Sequence, residues 1–458
     1  MLLLNLIRRL VLLLPCLLPC LLPLALAAQP ASPAAGPPRP APNPAWLTEQ
    51  LRESAVLRHH QVGVSLVDVA TGQQLFGLNE ERYFTPASTL KLLSLYAGLK
   101  LLPDSLPSLR YVLRPDTLLF WGTGDPTLLH GDVPSRRAFE FLKARPEQLF
   151  YAAVPAPPAF GPGWSWDDYG YYFQPERGPL PIYGNTVRFY GRPAPQAPRV
   201  LPAFFRPLTA PAPPALPNPA QDHVRRLPEE NRFLVFAAAR RWVDEVPFRT
   251  SPGLLLQLLQ DTLRRPVLPA PLRLRAQDSV RTLRGLPVDS LYRRMIRVSD
   301  NFLAEQLLLM CSSALGPDSL SSARAIRLMQ ARHLRTLPDA PQWVDGSGLS
   351  RLNLLTPRSL TAVLLLLHQQ IPEARLLSLL AAGGGQGTLR RAYPGGKSGP
   401  WLWGKTGTLT NTHNLAGYLR TRSGRLVAFS FFNNGYVVPT GEIRREMERV
   451  LTLVRERL

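Results

Sequence analysis

Residues 85–93 read Thr85-Pro86-Ala87-Ser88-Thr89-Leu90-Lys91-Leu92-Leu93. This predicts a helix start: Thr85 is a capping residue, Pro86 suits the first helical position, and a leucine-rich run continues to about Leu102. On a helix Ser88 and Lys91, three apart, share a face. Ser88 falls in the first turn, where free backbone N–H groups and the helix dipole favour developing negative charge. A serine hydroxyl needs a base to become a nucleophile. A lysine supplies one when desolvation lowers its pKa, and Leu90, Leu92 and Leu93 give Lys91 an apolar setting. Only five of the 53 basic residues are lysine (Lys91, Lys100, Lys143, Lys397, Lys405), so lysine stands out where arginine is the default cation. S-x-x-K alone recurs often by chance.

Two more clusters follow in the chain. Ser299-Asp300-Asn301 precedes Phe302-Leu303-Ala304-Glu305. By itself it reads as a helix N-cap with Glu305 as first-turn charge. Read functionally, the Ser299 hydroxyl joins a proton relay and the Asn301 amide meets a substrate carbonyl. Lys405-Thr406-Gly407-Thr408 opens a β pattern. A lysine and hydroxyls at an edge strand suit a substrate carboxylate, and Gly407 lets a ligand approach the backbone. The N–H groups of Ser88 and Thr408 would then form an oxyanion hole. Residues 399–406 also spell the phosphate-binding pattern GxxxxGKT. A loop precedes it, Trp401 and Trp403 occupy it, and a strand pattern follows, so no nucleotide is expected.

The order S-x-x-K, S-D-N, K-T-G resembles the penicillin-binding proteins and serine β-lactamases. The 211 residues from Ser88 to Ser299 are too many for a simple β-lactamase. They resemble the class C low-molecular-mass penicillin-binding proteins, the D-alanyl-D-alanine carboxypeptidase/endopeptidase family, which carry insertions there. Four segments are similar too: Gly124-Asp125-Pro126-Thr127-Leu128, residues 163–168, Asp345-Gly346-Ser347-Gly348-Leu349-Ser350, and Gly387-Thr388-Leu389. The resemblance implies an α/β transpeptidase fold, an antiparallel sheet flanked by helices, with a largely β insertion. It also implies a chemistry. Ser88 attacks, Lys91 takes its proton, Ser299 passes a proton to the leaving amine, and Asn301 orients the acyl donor. Lys405 with Thr406 or Thr408 holds the terminal carboxylate. Water hydrolyses the acyl-enzyme, which β-lactams also form. An insertion aspartate, Asp167 or Asp168, and Arg351 are implied to meet the amine and carboxylate of diaminopimelate. A serine β-lactamase and a non-catalytic muropeptide-binding protein are the alternatives.

The remaining sequence fits an exported protein. Residues 1–28 read as a signal peptide: Arg8 and Arg9, an apolar stretch, then Ala25-Leu26-Ala27. Residues 29–44 form a Pro/Ala linker, 45–105 with 282–458 the catalytic domain, and 106–281 the insertion. No second long apolar run exists, so a periplasmic or envelope-associated protein without an integral membrane segment is expected. The formal charge of +21 favours anionic envelope polymers, but the arginine skew gives no argument for nucleic acid. Cys311 is expected to be buried, and Cys16 and Cys20 fall in the signal. The seven histidines show no metal-ligand spacing, no cofactor is expected, and His413 reads as an ordinary strand residue. The Ser347 turn lacks the glycine spacing of a hydrolase elbow. Expected elements are a helix near Trp46, a hairpin over residues 61–82 with its turn at Thr71-Gly72, and β pieces at 111–113 and 117–121. Helices are expected at 253–265, 301–315, 357–370 and 442–458, with two strands over 413–434.

Overall fold

The computed structural model describes residues 44–458 except 134, 156, 215, 217–221, 317–319, 397 and 398. The expected signal segment, Cys16, Cys20 and all but the last residue of the expected linker lie outside the described residues. No helix among the described residues is long and apolar enough to cross a membrane.

The site is built on a six-stranded antiparallel sheet: β1 (Gln61–Asp68), β2 (Gln74–Leu78), β3 (Ala381–Ala382), β4 (Leu402–Leu409), β5 (Thr412–Arg420) and β6 (Leu426–Asn434). Its spatial order is β3-β4-β5-β6-β1-β2. The chain's first and last segments therefore meet in the middle, with Val64 opposite Phe431. The β1–β2 turn contains Gly72 at a φ of 70°, in the left-handed region that glycine adopts freely. Alternation in β1 and β6 divides their side chains between two faces. Val62, Val64, Leu66, Phe429 and Phe431 pack with Ile443, Met447, Val450 and Val454 of the C-terminal helix. The other face carries Gly63, Ser65, Ala428 and Ser430 beside Phe432, and helices lie close to it at the small residues. Ser65 Oγ is 2.9 Å from Thr361 Oγ1, Ser430 Oγ donates to Pro357 O at 2.8 Å, and a Cβ at Gly63 would clash with Phe84. Both faces of β1 are thus buried, although its sequence alternates, because helices cover both.

Helix α1 (Lys91–Leu101), α2 (Asn301–Ala314) and α3 (Pro357–Gln370) form that second layer, and α4 (Thr440–Arg457) covers the first face. Cys311 is buried in α2. Between the two parts of this frame, the pieces at 111–113 and 117–121 prove to belong to a regular five-stranded mixed sheet. Its strand order is Val267–Ala270, Gln148–Ala152, Thr117–Gly122, Ser105–Arg114, Arg281–Pro287. The entering strand, 105–114, pairs with the exiting strand, 281–287. The long excursion therefore leaves and re-enters the frame at one place, which keeps its closure cost small. Two three-stranded sheets lie within residues 186–247.

One loop of this excursion, residues 158–178, reaches back to the helical layer. Arg177 Nη1 lies 3.0 Å from Glu305 Oε2, with side chains 4% and 1% exposed. Arg177 Nη2 also donates to Pro158 O and Phe160 O, at 3.0 and 2.7 Å. Glu305 Oε1 accepts the N–H groups of Gly346 and Ser347, at 2.9 and 2.8 Å. Glu305 is thus no solvated first-turn charge. It is buried because three hydrogen-bond donors from two other segments, Arg177 Nη1 and the N–H groups of Gly346 and Ser347, pair with its oxygens. Arg177→Met strands the carboxylate and should cost about 3–5 kcal/mol. Adding Glu305→Gln should recover much of that, since the amide oxygen still accepts from the loop. Urea unfolding measures both; an Arg177→Met protein as stable as wild type contradicts the account.

Candidate active site

The segment around Ser88 is sharper than its sequence suggests. Residues Ala87–Leu90 form a 3-10 turn, and the α-helix begins only at Lys91. Neither Thr85 nor any other side chain caps the turn; Thr85 N–H instead donates to Asn434 Oδ1 at 2.8 Å. Ala87 is held at a φ of 48°, a left-handed conformation that an alanine adopts only under constraint. The constraint is crowding. A Cβ on Gly348 would lie 1.9 Å from Ala87 O, and one on Gly407 would lie 2.7 Å from Pro86 O and 3.0 Å from Ser88 N. Only glycine lets the loop and the strand approach the Ser88 turn this closely.

Lys91 is fully buried and donates to three oxygens. They are Ser88 Oγ at 2.9 Å, Asn301 Oδ1 at 2.7 Å and Ser347 O at 2.7 Å. Burial pushes its ammonium down to about 8, against the pull of Asp345, Glu305 and Asp300. Two of its neighbours, the amide and carbonyl oxygens, only accept. A neutral amine therefore spends its two hydrogens on them and turns its lone pair to the Ser88 hydroxyl. This is the arrangement a base needs.

Ser299 and Lys405 form a second pair. Ser299 sits at a φ of 66° just before α2, while Asp300 makes the cap through Leu303 N–H at 3.1 Å. Lys405 Nζ donates to Ser299 Oγ at 2.8 Å and to Thr406 O at 2.5 Å. Lys405 is fully buried, and burial together with the Lys91 charge drives it well below the ordinary lysine value. Asn301 links Lys91 to the loop of residues 158–178: its oxygen takes the Lys91 bond, and its Nδ2 donates to Phe173 O at 3.0 Å. Thr406 Oγ1 donates to Thr388 Oγ1 at 2.8 Å, and Thr408 Oγ1 is 2.8 Å from His413 Nδ1. Burial pushes His413 down to about 3, so it is a neutral partner that fixes the Thr408 hydroxyl. Lys405 and Thr406 lie inside strand β4, which continues into β5, so the GxxxxGKT spelling does not fold as a phosphate loop.

A cleft of about 820 Å³ opens over these groups. Ser88, Ser299, Asn301, Thr408, Asp167, Asp168 and Arg351 line it, whereas Lys91, Lys405, Thr406 and Gly407 stand behind the wall. All the residues singled out in the sequence thus converge on one place. Arg351 Nη2 donates to Thr410 O at 3.0 Å. Burial and the neighbouring Asp167 raise the Asp168 carboxyl, and Arg351 opposes them. Among the described residues no group of three or more His, Cys, Asp or Glu side chains is placed to hold a metal ion.

Sequence reasoning missed the supports. Asp345 Oδ1 accepts from Gly348 N and Asn353 Nδ2, both at 2.8 Å, and Oδ2 from Ser350 N at 2.7 Å and Trp164 Nε1 at 3.0 Å. Burial and Glu305 raise its pKa. This carboxylate shapes the loop whose Ser347 carbonyl receives Lys91. The roles of Arg177, Glu305 and Trp164 carry no short-range signal, since their partners lie 128 and 181 residues away.

Residues 267–455 match the family model described as the D-Ala-D-Ala carboxypeptidase 3 (S13) family. Carboxypeptidase DacB of Mycolicibacterium smegmatis is 35% identical over 178 residues, which is 37% of this chain and 38% of that protein. The matched segment thus spans little more than a third of that relative. In structure, the chain is similar to penicillin-binding protein 4 (dacB) of Haemophilus influenzae, with a TM-score of 0.68 and 20% identity over 90% of this chain and 99% of that one. A β-lactam complex of the same protein gives a TM-score of 0.63 at 18% identity, over 90% of this chain and 99% of that one. The antiparallel sheet between helical layers is accordingly the penicillin-binding protein fold, and residues 267–455 are similar to the D-Ala-D-Ala carboxypeptidase 3 (S13) family.

Proposed function

We propose that the protein is an exported serine-type D-alanyl-D-alanine carboxypeptidase, with endopeptidase capacity, that acts on peptidoglycan stem peptides in the periplasm or cell envelope. The observation that carries this reading is the fully buried Lys91, bonded to Ser88 Oγ in the floor of an open cleft. A scaffold that only bound muropeptides would have no use for a desolvated lysine beside a hydroxyl. The S13 match and the β-lactam complex of a similar fold agree with it.

In this reading the Ser88 O–H proton passes to Lys91 Nζ as Oγ bonds the carbonyl carbon between two D-alanines. The N–H groups of Ser88 and Thr408 receive the oxyanion, worth roughly 10² to 10³ in rate for each donor. Asn301 holds the acyl donor, and its bond to Phe173 O keeps the amide in one orientation. The C–N bond then breaks as the proton held by Lys91 passes by way of the Ser299 hydroxyl to the leaving nitrogen, which leaves Lys91 neutral again; Lys405 orients Ser299 through its bond to Oγ. Of the two candidates Thr406 and Thr408, Thr408 lines the cleft, so its hydroxyl meets the terminal carboxylate, and Lys405 adds positive charge from behind. Water finally cleaves the ester and returns Ser88. Asp167 or Asp168 with Arg351 would read the amine and carboxylate of the third stem residue. Residues 106–281 would be an insertion domain that supplies this wall.

Intact mass after benzylpenicillin treatment tests the reading. The wild type should gain one drug mass, stable for hours, and Ser88→Ala should gain none while keeping its fold. Rapid drug loss without a lasting adduct would indicate a β-lactamase, and intact drug with no adduct a binding protein. Lys405→Ala should raise KM for a peptide ending in D-alanine far more than for the same peptide amidated at its C-terminus. Equal effects on the two would contradict a role for Lys405 in recognising the carboxylate.

A further inference from the structure

The loop that carries Trp164, Phe173 and Arg177 also turns aromatic surface outward. Trp166 is 72% exposed, Tyr172 65% and Tyr171 45%. Clustered apolar exposure of this kind marks a binding surface. The rings are not loose. Trp166 stacks on Tyr169, with centroids 5.3 Å apart and planes at 24°, and Tyr171 stacks on Phe173 at 5.6 Å and 4°. The Arg226 guanidinium lies 4.6 Å from the Tyr169 ring centre. The rings are therefore set in place before a ligand arrives, and such residues lose little entropy on binding.

Beside them runs a groove of about 720 Å³, which shares Asp132, Asp167, Tyr172 and Glu245 with the cleft over Ser88. Eight of its sixteen lining residues are charged, among them Asp222, Arg225 and Asp244. The core of a protein interface is depleted in charge, and carboxylates at the rim repel anionic lipid. A sugar suits both features. Its C–H face lies against an aromatic ring, while each hydroxyl donates to a carboxylate and accepts from a guanidinium.

We propose that Trp166, Tyr169, Tyr171 and Tyr172 form a carbohydrate-binding ledge. Its ligand is the N-acetylated amino-sugar strand whose stem peptides enter the adjoining cleft. The choice of glycan rests on the peptidoglycan reading above; the ledge itself rests on the exposed, stacked rings and the continuous groove.

Calorimetric titration of the full-length protein with a peptide-free tetrasaccharide of N-acetylglucosamine and N-acetylmuramic acid tests it. The wild type should bind, and Trp166→Ala/Tyr171→Ala should bind at least about tenfold more weakly. The same variant should raise KM for a disaccharide-pentapeptide by a similar factor, with KM for the free pentapeptide and acylation by benzylpenicillin unchanged. A wild type that does not bind the tetrasaccharide, a variant that binds it equally well, or an equal loss on both peptide substrates overturns the ledge. Absence of acylation in the wild type would strike the peptidase reading instead, while the tetrasaccharide titration would still decide for or against the ledge.

Discussion

The burial of a single ammonium group organises this protein. Lys91 lies out of water with three oxygens around it, each from a different part of the chain: Ser88 Oγ, Asn301 Oδ1 and Ser347 O. An unpaired charge there would be very costly. Among the described residues no carboxylate is hydrogen-bonded to Lys91, so burial outweighs the pull of Asp345, Glu305 and Asp300 and its pKa falls to about 8. The protein thus holds the lysine where either protonation state has partners for all its hydrogens. That poise separates a catalytic lysine from a structural one.

Three oxygens from distant segments stay within bonding range only if those segments are fixed. Glu305 and Asp345 fix the loop of residues 345–350, and Arg177 fixes Glu305. Phe173 O fixes the Asn301 amide. Arg177, Phe173 and Trp164 all belong to one loop of the long excursion between the two parts of the frame. That loop both walls the cleft and sets its chemistry. Trp166, Tyr171 and Tyr172, exposed on the same loop, place the proposed ledge on the same structural unit.

The sequence made part of this legible. Helices 301–314 and 357–370 and the strand pair at 412–434 were visible because apolar spacing is a local signal. S-x-x-K was visible because residues three apart share a helix face, and S-D-N and K-T-G because each is a contiguous triplet. The 3-10 turn at Ala87–Leu90 was not, since crowding by Gly348 and Gly407, far away in sequence, imposes it. Glu305 read as first-turn charge, and its distant partners explain its burial: Arg177, 128 residues away, and the N–H groups of Gly346 and Ser347. The regular sheet of the excursion was obscured because prolines broke up the strand pattern. His413 read as an ordinary strand residue, yet its ring meets Thr408, a contact made by register across β4 and β5.

The pH dependence of the acylation rate constant with benzylpenicillin tests the central claim most directly, because only neutral Lys91 accepts the Ser88 proton. Measured from pH 6 to 9.5, the constant should rise nearly tenfold per pH unit at the acid end and level off above an apparent pKa of about 8. Lys91→Ala should lose this limb together with most of the rate. A wild-type profile flat across that range, or one that Lys91→Ala leaves unchanged, would contradict the account.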